Sequence, residues 1–286
     1  MMIQKLEEEL KVKIFDRSKQ PVVPTEVGQA VIGQARRVLA EVARVRDLVG
    51  EHKNEVRGEL RLGIIPTVAP FLLPLFLNDF LEKYPQLKII ITELTTELIV
   101  EKLQRGELDA GILATPLQVE ALREIPLYNE EFVVYASGQP DLLRKKYVLP
   151  ADLDLKRLWL LKEGHCLRSQ IVSLCELKKQ ERPYANLEYE AGSIDSLKRL
   201  VESNKGITIL PELAVLDFTE KEKEALRFFK RPVPVREISL VTYRHYIKER
   251  LLQILQEEIV AKVSPLVGRP ESFQVIGVGP EPVGKG

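Results

Sequence analysis

The chain has 286 residues, of which 45% are hydrophobic and 29% charged, and its 42 basic side chains are matched by 42 acidic ones. This apolar content suffices for more than one packed core, and a formal net charge of zero excludes a global field that would draw the molecule onto nucleic acid or an anionic membrane. No apolar run reaches membrane-spanning length, because the stretch 64–77 is broken by Pro66, Pro70 and Pro74. The charged first ten residues do not read as a signal peptide. Two cysteines without an extracellular signal point to a reducing, cytoplasmic setting, where a disulfide is transient or redox-sensing.

In chain order, Ile3, Leu6 and Leu10 recur at helical spacing, so 1–10 reads as an amphipathic helix lacking an N-cap. Residues 12–17 and 21–24 are short extended pieces around the polar turn Ser18-Lys19-Gln20, a small β-wing. Thr25 is placed to cap a helix running to about His52. Its apolar positions Val31, Ala35, Val38, Val42, Val45 and Val49 step alternately by four and three, a coiled-coil seam that requires a partner helix. The series Ile3, Leu6-Glu7, Leu10, Val12, Ile14-Phe15, Arg17, Pro24-Thr25-Glu26 and Gly28 resembles the end of the winged helix-turn-helix in LysR-type transcriptional regulators. Lys11 stands where that family usually has glycine. The resemblance implies a DNA-binding remnant at 1–24 and a dimerising linker helix at 25–57, in an assembly of two or four copies. Base edges are read mainly by the N-terminal residues of a recognition helix, and these would precede Met1, so weak DNA binding is expected of this chain.

From Glu59 the pattern turns to α/β. Strands are expected at 60–64, 88–92, 109–113, 131–136, 158–161, 187–190, 206–210 and 238–242, and helices at 71–84, 95–105, 193–203 and 247–263, with Pro85 and Gly106 as stops. Strands alternating with helices imply a mainly parallel sheet. The expected division is one lobe from 58–131 and 237–265, a second from 132–236, and a disordered Gly- and Pro-rich tail at 266–286.

Both cysteines fall in Gly164-His165-Cys166-Leu167-Arg168-Ser169-Gln170-Ile171-Val172-Ser173-Leu174-Cys175. Gly164 reads as a turn and Leu167 onward as a helix, which puts Cys166 at a helix start, beside His165 and Arg168; cations and a helix N-terminus both favour a thiolate. If the intervening residues are helical, Cys166 and Cys175 lie roughly 13 Å apart, whereas a disulfide needs Cα atoms within about 7 Å. A bond between them would force the helix to unwind. The competing reading is two small buried hydrophobes on the apolar face of a core helix.

Ligands of open α/β sheets bind beyond the strand ends and at helix N-termini. Ile65-Pro66-Thr67-Val68-Ala69-Pro70 and Thr95-Thr96 are such turns, although Thr67 alone reads more simply as an N-cap. The segments Gly63 to Pro70, His165-Cys166-Leu167-Arg168 with Cys175, and Gly206-Ile207-Thr208-Ile209-Leu210-Pro211 resemble the peroxide-sensing, OxyR-type branch of the LysR-type regulators over nearly all of 2–263. What the resemblance implies is two lobes like those of periplasmic binding proteins. In its scheme Cys166 is oxidised by hydrogen peroxide to a sulfenic acid and Cys175 resolves it to a disulfide. Thr67 and Thr96 would hold peroxide and its water, His165 and Arg168 would favour the thiolate and polarise the leaving oxygen, and glutaredoxin or thioredoxin would reset the switch. The acidic residue that the family carries after the arginine is Ser169 here. Neither cofactor nor metal is implied. Two alternatives stay open: a regulator or binding protein taking a small organic ligand between the lobes, and a thiol peroxidase.

Overall fold

The computed structural model describes residues 2–35, 38, 42, 56–176, 191–243 and 249–278. Helix α1 (Met2–Leu10) ends where Lys11 takes a left-handed φ of 54°, the backbone state that makes glycine common just past a helix. Strands β1 (Phe15–Asp16) and β2 (Val23–Pro24) pair antiparallel as a wing. Buried Glu7 fastens α1 to that wing, accepting from the Ile14 and Phe15 backbone N–H groups at 2.7 and 3.1 Å and pairing with Arg17 at 2.9 Å. The next helix, α2, begins at 26, and the Thr25 hydroxyl caps it by accepting from the Gly28 N–H at 2.9 Å. Gly28 lies so close to the wing that a Cβ there would sit 1.8 Å from the Ile14 carbonyl oxygen. Val38 and Val42 of the expected seam are exposed; Val45, Val49 and the helix end near His52 lie outside the described residues.

The first lobe takes β3 (Gly58–Ile64), α3 (Ala69–Lys83), β4 (Leu87–Glu93), α4 (Thr96–Gln104) and β5 (Ala110–Thr115), with β4-β3-β5 parallel. Leu60, Leu62 and Ile64 meet Leu72, Phe76 and Phe80 of α3 and Ile99 and Leu103 of α4 in one core. Two long strands, β6 (Leu122–Ala136) and β10 (Val233–Tyr243), pair antiparallel and carry the chain out of this lobe and back. Beyond Glu131, β6 leaves β10 and pairs instead with β8 (Ile207–Pro211) and β9 (Leu226–Phe229), and β7 (Tyr147–Val148) adds to β9. Helices α6 (Cys166–Leu174) and α7 (Ile194–Asn204) cover this second sheet and share a separate core with it, while short α5 (Pro140–Leu143) and α8 (Glu220–Lys223) lie on its connections. The last helix, α9 (Glu249–Val263), returns to pack on the first lobe.

Three expectations need correction. The sheet is mixed rather than mainly parallel, because the β5-β10-β6 centre is antiparallel. The strand expected at 158–161 is reduced to single bridges, Leu158 with Ile207 and Leu161 with Ala191, since short 3-10 turns precede it and the Gly164 turn follows it at once. The tail is ordered through 278: β11 (Phe273–Val275) pairs parallel with β10, and Ile276 is buried. Gly and Pro content alone misled here, because the unpaired edge of β10 at Val233 to Val235 offers the tail backbone partners. The strand expected at 187–190 and the tail from 279 lie outside the described residues.

Candidate thiol site at the lobe junction

Helix α6 starts from a tight loop. Gly164 holds φ at 87°, Arg168 folds back so that its guanidinium donates to the Leu161 carbonyl at 2.9 Å, and His165 occupies the N-cap, so Cys166 is the first residue of α6. Although α6 belongs to the second lobe, the Cys166 side chain packs into the core of the first. Its neighbours there come from three elements of that lobe and its crossing strand: Thr96 at the start of α4, Ala114 of β5 and Arg236 of β10.

Arg236 is the centre of the arrangement. It is 1% exposed, sits directly across the ladder from Glu130, and pairs with that fully buried carboxylate at 2.8 Å. Its remaining nitrogens donate to the Thr67 hydroxyl at 3.1 Å and the Thr67 carbonyl at 3.0 Å, and the second Glu130 oxygen accepts from the Leu213 N–H at 3.1 Å. A buried ion pair is held this way only where its leftover donors and acceptors are also satisfied. The pair therefore fixes a cation beside the thiol and fastens the Thr67 loop to it.

Burial pushes the Cys166 thiol above its ordinary pKa; the charge of Arg236, the Thr96 hydroxyl and the backbone of Leu167 and Ala114 oppose that rise. The Thr96 hydroxyl is itself buried and has no nitrogen or oxygen partner among the described residues. Burial pushes His165 down, with Lys162 acting in the same direction. His165 is thus neutral near pH 7, and its buried Nε2 has no partner among the described residues. Cys175 ends the same helix, pushed up to about 11 by burial in the second core. Both thiols are free, and α6 is intact between them, with the Cys175 N–H donating to the Ile171 carbonyl at 2.9 Å. The cation and the Thr96 hydroxyl oppose the cost that burial sets on a Cys166 thiolate. The arrangement cannot join the two sulfurs without unwinding α6.

The structure thus brings Thr67, Thr96, His165 and Cys166 to one junction, with Cys175 at the far end of the helix. Thr67 does not cap α3: Val68 holds the N-cap position, and the Thr67 hydroxyl is turned to Arg236. Arg168 braces the preceding loop, and the cation that acts on the thiol is Arg236. Ser169 lies on α6, half-buried. Arg236 and Glu130 were missed by sequence reasoning. Their signal was a pair of adjacent charges, Glu130-Glu131 and Arg236-Glu237, inside each of two otherwise largely apolar strands, at the points where the chain changes lobes.

Fold and site together define a two-lobed α/β regulatory domain with a buried free thiol at its lobe junction. The LysR substrate binding domain family matches residues 53–262, and the chain belongs to that family. It is similar, at 33% identity over 241 residues, to the hydrogen peroxide-inducible genes activator of Haemophilus influenzae, covering 84% of this chain and 78% of that one. A full-length OxyR variant from Pseudomonas aeruginosa superimposes with a TM-score of 0.74 at 32% identity, over 90% of this chain and 86% of that one. The transcriptional regulator EstR of Acinetobacter baylyi is also 33% identical, over 84% of this chain and 79% of its own. Overall identity therefore does not separate relatives with different names, and the chemistry of the site has to.

Proposed function

We propose that this chain is a LysR-type transcriptional regulator that senses hydrogen peroxide through a reversible Cys166–Cys175 disulfide and controls oxidative-stress genes. One observation carries the reading: the thiol at the start of α6 is held against Arg236 and the Thr96 hydroxyl, with a second thiol at the end of the same helix. An organic-ligand regulator has no use for that pairing. The similarity to peroxide-inducible activators supports the same signal.

In the proposed sequence the Cys166 thiolate attacks one peroxide oxygen, the O–O bond breaks, and hydroxide leaves and is protonated to water. The resulting sulfenic acid is attacked by the Cys175 sulfur after α6 unwinds; the S–S bond forms and a second water departs. The balance is two thiols and one peroxide to one disulfide and two waters. Arg236 stabilises the thiolate, Thr67 and Thr96 provide hydroxyls for peroxide, and neutral His165 offers its free nitrogen as a hydrogen-bond acceptor or donor. A dithiol reductant of the glutaredoxin or thioredoxin class reverses the bond. Operator DNA and further copies of the chain are the expected partners, in the cytoplasm, with signal transfer through the wing and linker helix.

The test is a stoichiometric titration of the reduced chain with hydrogen peroxide, counting thiols. Loss of two thiols per peroxide, with no further consumption until a reductant is added, is the expected result. Continued rapid turnover with reductant would instead make the chain a thiol peroxidase, and an unreactive Cys166 would remove the sensing role.

A further inference from the structure

The segment after α9 is built into the switch region. Val267 and Val278 pack against the first core, whereas Ile276 is buried in the second, so residues 266–278 cross both lobes. The strap is fastened at several points, among them an exposed Arg231–Glu271 ion pair at 2.7 Å and the Val233 N–H donating to the Ser272 carbonyl at 3.0 Å. The Gly268 N–H donates to Glu212 at 2.9 Å, β11 pairs with β10 over three residues, and the Ile276 N–H donates to the Val235 carbonyl at 2.8 Å. A further bond goes to α6 itself: the Gln170 amide, fully buried, donates to the Ile276 carbonyl at 2.6 Å. Gln170 lies between the two cysteines on α6.

We infer that Gln170 is a positioning residue that latches the C-terminal strap to the reduced form of α6, and that disulfide formation releases the strap. The inference rests on the peroxide-switch reading above and adds what the switch moves. Nine helical steps hold the cysteines roughly 13 Å apart, and a disulfide requires less than about 7 Å between Cα atoms. Residues 167–174 cannot all stay helical across that change, and Gln170 is in their middle. Once it moves, the Ile276 carbonyl loses its side-chain donor inside the core, a costly state for a buried acceptor. The ties that remain, a three-residue β-pairing, the Gly268–Glu212 bond and the exposed Arg231–Glu271 ion pair, are a weak hold without it. The latch is also suited to opening, because the Gln170 carbonyl oxygen is buried with no partner among the described residues, so half of the amide gains nothing from the reduced state. Release of the strap frees the β10 edge at Val233 to Val235 and undoes a tie between the lobes close to Arg236, turning a change within one helix into a change at the lobe junction.

The decisive experiment is backbone amide hydrogen exchange on the full chain, reduced and then oxidised with one equivalent of peroxide, with the Cys166–Cys175 bond confirmed by mass spectrometry. Exchange of residues 273–276 is expected to accelerate at least about tenfold on oxidation, while β3 keeps its protection. A confirmed disulfide with unchanged protection at 273–276 overturns the strap while leaving the sensor intact. Failure of any disulfide to form would overturn the sensing reading, and the strap with it. A Gln170→Leu variant adds an independent readout. Loss of one buried hydrogen bond made only in the reduced state should shift the thiol-disulfide equilibrium toward the disulfide by about five-fold, and lower the unfolding midpoint of the reduced form alone. Equal destabilisation of both forms would show a purely structural glutamine and refute the latch.

Discussion

The assignment of the thiol's cation to Arg236 can be tested by removing the charge without stranding its partner. Replacing Arg236 with methionine leaves Glu130, which is fully buried, as a carboxylate without its cation; breaking a buried pair from one side costs about 3–5 kcal/mol. Such a variant would confound instability with chemistry. The double variant Arg236→Met with Glu130→Gln removes both charges and keeps an oxygen for the Leu213 N–H, so most of that cost is expected to vanish. The chemical effect remains. An adjacent opposite charge moves a pKa by about 1–3 units, and burial already holds the Cys166 thiol above its ordinary value. The thiolate fraction near pH 7, and with it the peroxide rate, should fall about 10- to 1000-fold. Stopped-flow fluorescence of Trp159, the single tryptophan and a member of the second core, follows the reaction, and rapid thiol quenching calibrates it. The pH-rate profile of the double variant should move to higher pH. A folded double variant that keeps both the wild-type rate and the wild-type profile would refute Arg236 as the stabilising cation.

Other outcomes follow from individual contacts. In Cys175→Ser, oxidation should stop at a Cys166 sulfenic acid that a sulfenic-acid-specific dione traps, and an untrapped, fully reduced Cys166 would contradict the division of roles. A Cβ at Gly28 would meet the Ile14 carbonyl oxygen at 1.8 Å, so Gly28→Ala should loosen the wing from α2 while the melting of the two lobes stays unchanged; an intact wing would disprove the close approach. Glu7 is held at about 2, well below its ordinary 4.5, chiefly by the Phe15 backbone N–H and then by Arg17. A depressed carboxylate contributes stability that is present above pH 4.5 and is lost as pH falls from there through about 2. Protection of the Ile14 and Phe15 amides should decline over that window, and Glu7→Gln should flatten the dependence; a wild-type profile without the decline would count against the anchor.

Local pattern made the helices easy to read. Period and punctuation placed α3 before Pro85 and α4 before Gly106, and the Thr25 cap is present at the hydrogen-bond level. Strand direction was less legible, because nothing in β6 or β10 alone says that they pair antiparallel. The loop from Gly164 to Arg168 could be read because its features are neighbours in sequence. It did not reveal the second cation: Arg168, two residues on from Cys166, folds back to Leu161, while Arg236 reaches the thiol from a distant strand. Glu130 and Arg236 become partners only through the β6-β10 register. The strap was lost for the same reason. Its Gly- and Pro-rich composition reads as a loose end, and only the exposed edge of β10 and the Gln170 amide give it a place.

In the proposed switch, peroxide joins two thiols that the reduced fold keeps at opposite ends of an intact helix. Peptide mapping of the chain by mass spectrometry, after one equivalent of hydrogen peroxide at neutral pH and alkylation of remaining thiols, measures this directly. An intramolecular Cys166–Cys175 link that a dithiol reductant reverses is the expected product. Two alkylated cysteines after exposure to peroxide would contradict it.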